Sequence, residues 1–264
     1  MIHEKFNGIH GAINYYHEPA LAEFPTIVFL SGLYSGSDYY AMKSMAGHIQ
    51  GPFGKVFVDF LGRGESAETD VPRTNANITD ELHEFIEQVI GEPVIFFVQG
   101  MSGVYVVDFI DKFAELVYGV IGIEPMTGVV GEYENQPAYQ AVQFATMTTE
   151  EQAVVLEDSE LTAAEKAMAK ELERPVTAGT VQDEMQRAED NTHAIRNKNI
   201  PDGVPVLLFT EPYRLEEYKN SEYANGNTKY IELEGSHHLH SDEIALRTNE
   251  WIAMSLLSGG QPSV

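Results

Sequence analysis

The sequence of 264 residues contains no cysteine. This absence excludes a disulfide framework, a thiolate metal site and a cysteine nucleophile, and it fits the reducing cytoplasm, where we expect the protein to reside. No apolar run approaches the ~20 residues that a membrane-spanning helix needs. The first residues, MIHEKFNGIHG, lack the basic start and apolar core of a secretory signal. We therefore expect no association with a membrane.

Basic residues are few: 16 lysines and arginines face 41 aspartates and glutamates, for a formal net charge of -25. Such a charge argues against nucleic acid and anionic membranes as partners, because both carry the same sign. It leaves a small molecule as the expected substrate or ligand and does not define the oligomeric state. Neither a dinucleotide-binding glycine motif nor a P-loop is present, so we expect no cofactor.

Apolar runs of strand length recur through the chain, and several are continuous rather than alternating, which is typical of strands covered on both faces. The predicted strands are 26–30, 55–60, 94–98, 117–123, 204–209 and 229–233, preceded by a hairpin of 2–6 and 12–16 around Asn7-Gly8. The predicted helices are 38–50, 79–90, 103–116 and 242–257. This alternation predicts an α/β fold, with a mainly parallel sheet of about eight strands and helices on both faces.

One region interrupts the alternation. Residues 132–199 show helical patterns and no convincing strand, and two capping boxes are predicted there, Thr148 with Glu151 and Thr162 with Glu165. We interpret the region as a helical insertion between strands 6 and 7, with residues 1–131 and 200–264 forming the core. An insertion at this point lies over the carboxyl ends of the parallel strands, where ligands bind, so a lid role is predicted.

Four loops that follow predicted strands carry the motifs. SGLYSGS follows the strand at 26–30, and DFLGRGES, with the pattern D-x-x-G-x-G-x-S, closes the next one. VIFFVQGMSG ends a third strand in a glycine-rich turn, and GSHHLH precedes the last helix. In kind and order these loops resemble those of the α/β-hydrolase family. The resemblance covers nearly the whole chain outside the helical insertion and implies a serine-hydrolase type of site.

The turn in VIFFVQGMSG resembles the nucleophile elbow G-x-S-x-G, in two possible registers. One places Ser102 at the nucleophile position but puts Val104 where the motif needs a small residue. The other places Gly100 there, with the bulky and small residues that often follow a nucleophile. The strand length from Pro93 favours this second register. Gly100 then marks a lost nucleophile, either natural or an engineered serine-to-glycine change.

The resemblance also implies roles for residues in the remaining loops. His237 corresponds to the general base, since a neutral imidazole accepts a proton near pH 7. The acid that orients it is Glu124, after the sixth strand, as first choice, or Glu211, after the seventh, as second. The oxyanion donors are the backbone N–H groups of Leu33 and Met101, or of Gly103 if Ser102 is the nucleophile.

No metal site is expected, because the histidines of GSHHLH lack identifiable partners elsewhere in the sequence. Arg73 is predicted to be a surface arginine; the alternative is that it reaches toward the loop of Arg63 and pairs with an acidic group. Two functions follow. In the first, the protein is a hydrolase acting on an ester or amide-like bond of a small, largely apolar substrate. In the second, it is a non-catalytic or nucleophile-deficient member of the same fold, which binds a small molecule near His237.

Overall fold

A computed structural model describes residues 1–21, 24–33, 36–133, 161–173, 179–235 and 237–257. Its centre is an eight-stranded sheet with the order β1-β2-β4-β3-β5-β6-β7-β8. β1 pairs antiparallel with β2, which pairs antiparallel with β4, and the six strands from β3 onwards pair in parallel. The strands are β1 Ile2–Gly8, β2 Gly11–Glu18, β3 Thr26–Leu30, β4 Gly54–Asp59, β5 Val94–Gln99, β6 Val117–Ile123, β7 Val206–Thr210 and β8 Thr228–Glu232. The predicted α/β class and sheet are confirmed.

Helices cover both faces of the sheet within the described residues. They are α1 Asp38–His48, α2 Asn75–Phe85, α3 Ser102–Phe113, α4 Val130–Tyr133, α5 Ala163–Leu172, α6 Gly179–Ala194, α7 Leu215–Lys219 and α8 Ser241–Leu257. α2 and α3 contribute Ile78, Leu82 and Val104 to the apolar core on one face. α1 and α8 contribute Met42 and Ile252 to the core on the other.

Alternate residues of the central strands supply the two cores, as the period of a β-strand requires. In β3, Val28 and Leu30 face α2 and α3, whereas Ile27 and Phe29 face α1 and α8. All four side chains are fully buried. Burial on both faces explains why these strands are continuous apolar runs, the feature that made them recognisable in the sequence.

The bounds of several elements differ from the predicted ones. The N-terminal hairpin turns at Ile9-His10 rather than at Asn7-Gly8, because Gly8 pairs with Gly11. The second predicted helix begins at Asn75, where the hydroxyl of Thr74 accepts the Asn77 N–H and caps it. It continues as a π-helical turn, Ile86–Ile90, which ends at Gly91 with a left-handed φ of 76°.

Within the segment 132–199, the described residues form the end of α4, α5 and α6, with turns and irregular stretches at 161–162, 173 and 195–199. The capping box of Thr162 and Glu165 is confirmed, with both reciprocal hydrogen bonds present. Lys43 of α1 forms an ion pair with Glu165, 2.5 Å between Nζ and Oε1, which ties α5 to the core. The box predicted at Thr148 and Glu151 lies outside the described residues, and the lid remains a prediction. Across the described ranges, none of the helices combines the length and apolarity of a membrane span.

Candidate functional site

The loops singled out in the sequence meet at one edge of the sheet. Parallel strands present their carboxyl ends on the same side, so the residues after β3, β5, β6, β7 and β8 converge there. Among these residues are Leu33, Gly100, Glu124, Glu211 and His237. Residues that follow five strands therefore share this edge of the sheet.

Gly100 forms the apex of the turn between β5 and α3. Its φ is 53°, in the left-handed region that glycine adopts without strain. A Cβ atom built on Gly100 has the Cα of Gly32, 3.8 Å away, as its nearest neighbour, which is ordinary van der Waals contact. The backbone N–H of Met126 donates to the Gly100 carbonyl at 2.9 Å and fixes the turn against the loop after β6. The apex therefore has space for a side chain, and glycine leaves that space unfilled.

Ser102 points away from that space. Its side chain is fully buried, and Oγ lies 2.7 Å from the Leu30 carbonyl oxygen and 2.9 Å from that of Gln99. The same oxygen accepts the Gln99 N–H at 3.1 Å. The single hydroxyl proton is thus committed to backbone carbonyls, and the serine joins the ends of β3 and β5.

His237 begins the short 3-10 helix His237–His240 and is half-buried. The side-chain amide Nε2 of Gln99 lies 2.6 Å from Nε2 of the imidazole. Because the amide nitrogen can only donate, the imidazole nitrogen accepts, and the ring proton belongs on Nδ1. The sequence did not predict this contact with Gln99, whose side chain reaches His237 from the residue before the apex.

The two candidate acids lie side by side with different partners. Glu124 has a φ of 47°, and its carboxylate accepts the Glu211 backbone N–H at 2.6 Å and Nη1 of Arg214 at 2.8 Å. Burial, with the negative charge of Glu124 as a second cause, raises the pKa of Glu211, and the backbone N–H of Gly235, two residues before His237, opposes that rise. Glu211 thus interacts with the loop that carries His237, whereas Glu124 is bound to Arg214.

A cavity of about 830 Å³ opens beside Gly100. Its apolar lining comes from Leu33, Met101, Met126, Val130 and Ala188. Polar groups are fewer and include Gln99 at the elbow and Glu189, Thr192 and His193, which α6 contributes from the predicted lid segment. A small, largely apolar molecule fits such a lining. No group of three or more His, Asp or Glu side chains suited to a metal ion was found among the residues that the structure describes.

Known structures share this architecture over nearly their full lengths. Smu.1393c from Streptococcus mutans has a TM-score of 0.73 at 19% identity, covering 99% of both chains. The haloalkane dehalogenase DbeA from Bradyrhizobium elkani has a TM-score of 0.69 at 16% identity, covering 98% of this chain and 99% of its own. MGS-M2, an α/β-hydrolase enzyme from a Medee basin deep-sea metagenome library, has a TM-score of 0.64 at 12% identity and covers 99% of both chains. The chain has the α/β-hydrolase fold.

At the level of sequence, no protein-family profile matches the chain and no curated protein matches it. The turn at Gly100 lies between β5 and α3, the Ser31–Leu33 stretch is the loop after β3, and His237 lies in the loop after β8.

The loop after β4 contains a second residue whose role the sequence did not reveal. Arg63, within the G-R-G of the D-x-x-G-x-G-x-S motif, is buried, and Nη1 donates to the Gly32 carbonyl at 2.9 Å. In the sequence, the signal for this role is a charged residue between two glycines of a loop.

Arg73, predicted at the surface, is instead fully buried and pairs through both Nη atoms with Glu81, at 2.6 and 2.8 Å. The surface prediction for Arg73 is wrong because α2 brings Glu81 into contact with the Arg73 guanidinium.

Proposed function

We propose that this chain binds a small, largely apolar ester- or amide-like molecule in a serine-hydrolase type of site whose nucleophile position is occupied by glycine. The observation that carries the proposal is the elbow itself. Gly100 is at the apex with a left-handed φ of 53°, and the neighbouring Ser102 uses its hydroxyl to bind the backbone of β3 and β5.

The contact between Gln99 and His237 supports the assignment. In a working site of this type, the histidine nitrogen faces the hydroxyl whose proton it removes. Here the amide of Gln99 lies at that nitrogen, 2.6 Å away. A side chain other than a nucleophile therefore serves as its hydrogen-bond partner, which suits ligand binding without covalent attack.

The lining of the cavity supports the class of ligand. Methionine and aliphatic side chains make up most of the wall, and the formal net charge of -25 disfavours anions. The exposed carboxylate of Glu189 acts in the same direction at the cavity itself. We propose neutral or cationic ligands and no nucleic acid partner.

The other groups would complete a hydrolytic site once a serine hydroxyl at position 100 replaces the Gln99 amide as the partner of Nε2 of His237. The serine oxygen would attack the carbonyl carbon, His237 would take the proton, and the N–H groups of Leu33 and Met101 would bind the oxyanion. Glu211 is our preferred acid, because its carboxylate interacts with the backbone N–H of Gly235 in the loop that carries His237. Glu124, first in the sequence ranking, is engaged by Arg214.

The test uses the chain as given and Gly100→Ser. With p-nitrophenyl butyrate, we expect the chain as given to bind, measured as a rise in Tm, without release of p-nitrophenol or labelling by a fluorophosphonate. We expect Gly100→Ser to gain both turnover and labelling. p-Nitrophenyl phosphate is the matched anionic control and is expected to give no shift in Tm.

Two further variants test where the ligand binds and which residue is labelled. Ala188→Phe narrows the cavity from α6 and is expected to abolish the Tm shift. Ser102→Ala in the Gly100→Ser background is expected to keep fluorophosphonate labelling. Turnover by the chain as given that Ser102→Ala removes would overturn the proposal, since Ser102 would then be the nucleophile.

A further inference from the structure

Arg63 occupies an unusual place for a charged side chain. It lies between Gly62 and Gly64, whose φ values are 83° and 49°, and only 1% of its surface is exposed. The two left-handed glycines turn the loop after β4 so that the guanidinium passes under the loop after β3. There Nη1 donates to the Gly32 carbonyl oxygen at 2.9 Å.

The hydrogen bond acts on the peptide that carries the Leu33 N–H. Gly32 C=O and Leu33 N–H belong to one planar trans peptide unit, so the two groups point in opposite directions. A guanidinium fixed on the carbonyl side therefore fixes the N–H on the other side. Gly32 and Leu33 both line the cavity, and the Gly32 Cα lies 3.8 Å from the place of a Cβ on Gly100.

We propose that Arg63 is a positioning residue that holds the Gly32–Leu33 peptide with its N–H directed at the ligand carbonyl beside Gly100. The inference deepens the proposed function and rests on it for the identity of the ligand group. Arg63 does not line the cavity and acts through the backbone of the loop after β3. A hydrogen-bond donor that is already oriented needs no reorganisation when negative charge develops on the carbonyl oxygen.

Glu184 of α6 holds the other end of the guanidinium. Its Oε1 accepts Nη2 of Arg63 at 2.5 Å and the hydroxyl of Tyr105 at 2.7 Å. The three side chains are buried. A planar guanidinium with two occupied branches has little freedom to rotate. Because α6 also lines the cavity, this series of hydrogen bonds connects a wall of the cavity to the Gly32–Leu33 peptide.

The matched control is Arg73. It is also a buried arginine that follows β4 and pairs with a buried glutamate. Its guanidinium bonds run to Glu81 of α2 rather than to the loop after β3. Replacing either arginine by methionine removes a buried charge from an ion pair, so the general loss of stability is matched, and only Arg63→Met alters the support of the Gly32 carbonyl.

The first measurement is independent of catalysis. In the chain as given, labelled with 15N-leucine, the Leu33 amide is observed in 1H–15N spectra. We expect Arg63→Met to shift the Leu33 amide resonance and to speed its hydrogen exchange, and Arg73→Met to leave both unchanged. Arg63→Lys, which keeps a donor, is expected to restore part of the shift. Glu184→Gln, which keeps an acceptor but removes the charge, is expected to produce a smaller change of the same direction.

The second measurement uses Gly100→Ser and p-nitrophenyl butyrate. We expect Arg63→Met to lower kcat by about 10- to 100-fold with KM within about twofold, since an oxyanion donor acts mainly in the transition state. Arg73→Met should leave kcat unchanged in folded protein. If Gly100→Ser is inactive, the proposed function fails and the Leu33 amide alone decides this inference. A Leu33 amide and a kcat that respond to Arg63→Met no more than to Arg73→Met would overturn it.

Discussion

The side-chain amide nitrogen of Gln99 lies 2.6 Å from Nε2 of His237. The amide can donate but not accept at this atom, so the contact requires an imidazole nitrogen without a proton. Gln99 precedes the apex of the elbow, and its side chain reaches the loop after β8. The imidazole of His237 is thereby held in one tautomer.

The tautomer of His237 can be tested by substitution at Gln99. We expect long-range 1H–15N spectra of the chain as given to show a proton on Nδ1 and none on Nε2 of His237. Gln99→Glu replaces the donor by an acceptor and is expected to move the proton to Nε2, whereas Gln99→Leu removes the preference. A proton on Nε2 in the chain as given would contradict the assignment.

Ser102 is predicted to stabilise the fold. Ser102→Ala leaves the buried Leu30 carbonyl and Gln99 N–H without their side-chain partner, so we expect the free energy of unfolding to fall by about 1–3 kcal/mol. Urea denaturation measures the change. Ser44→Ala, on the half-buried face of α1, is the control and is expected to change stability by less than ~0.5 kcal/mol. Equal effects of the two substitutions would show that the Ser102 hydroxyl has no structural role.

The two candidate acids are expected to fail in different ways. In the Gly100→Ser background, Glu211→Gln should lower kcat by at least ~100-fold, because the acid orients and stabilises the histidine cation. Glu124→Gln should mainly lower stability, by roughly 2 kcal/mol, because it leaves the buried Arg214 less well paired. Steady-state kinetics and urea denaturation on both variants separate the effects. A larger loss of kcat in Glu124→Gln would return the role to Glu124.

The sheet was predictable because its central strands are buried on both faces, and that burial makes residues such as those of β3 and β5 continuous apolar runs. The loops were predictable as a set, because parallel strands bring their carboxyl ends together. The hairpin turn was misplaced by two residues, since Asn7-Gly8 is a favourable turn pair but the pairing of Gly8 with Gly11 extends β1 past it.

The contacts that define the site depend on tertiary packing and had no local signal. The approach of Gln99 to His237 joins residues 138 positions apart. The hydrogen bond between Arg63 and Glu184 joins residues 121 positions apart, and Glu184 belongs to the predicted lid segment. Strand length favours Gly100 over Ser102 at the apex of the turn. Burial of the Ser102 hydroxyl adds a reason that only the tertiary structure provides.

Asp38 predicts a specific dependence of stability on pH. Its carboxylate accepts the Ser31 N–H at 3.0 Å beneath the loop after β3. Burial raises the pKa of Asp38 to about 7, against the opposing charge of Arg63 and with the help of Asp59. The unfolded chain ionises near ~3.9. Between these values the folded state holds a proton that the unfolded state has lost, so stability falls as pH rises and is constant above the folded pKa.

Asp38→Asn removes this titration. Relative to the parent, we expect the variant to gain up to roughly 1.4 kcal/mol per pH unit as pH rises from about 4 towards 7, and nothing further above pH 7. Urea denaturation at a series of pH values measures the difference. Asp70→Asn, at an exposed position, is the control and should run parallel to the parent. Because Asp38→Asn is compared with the parent at each pH, the titration of carboxylates that do not interact with Asp38 cancels. A difference that does not vary with pH would show that Asp38 stays ionised throughout.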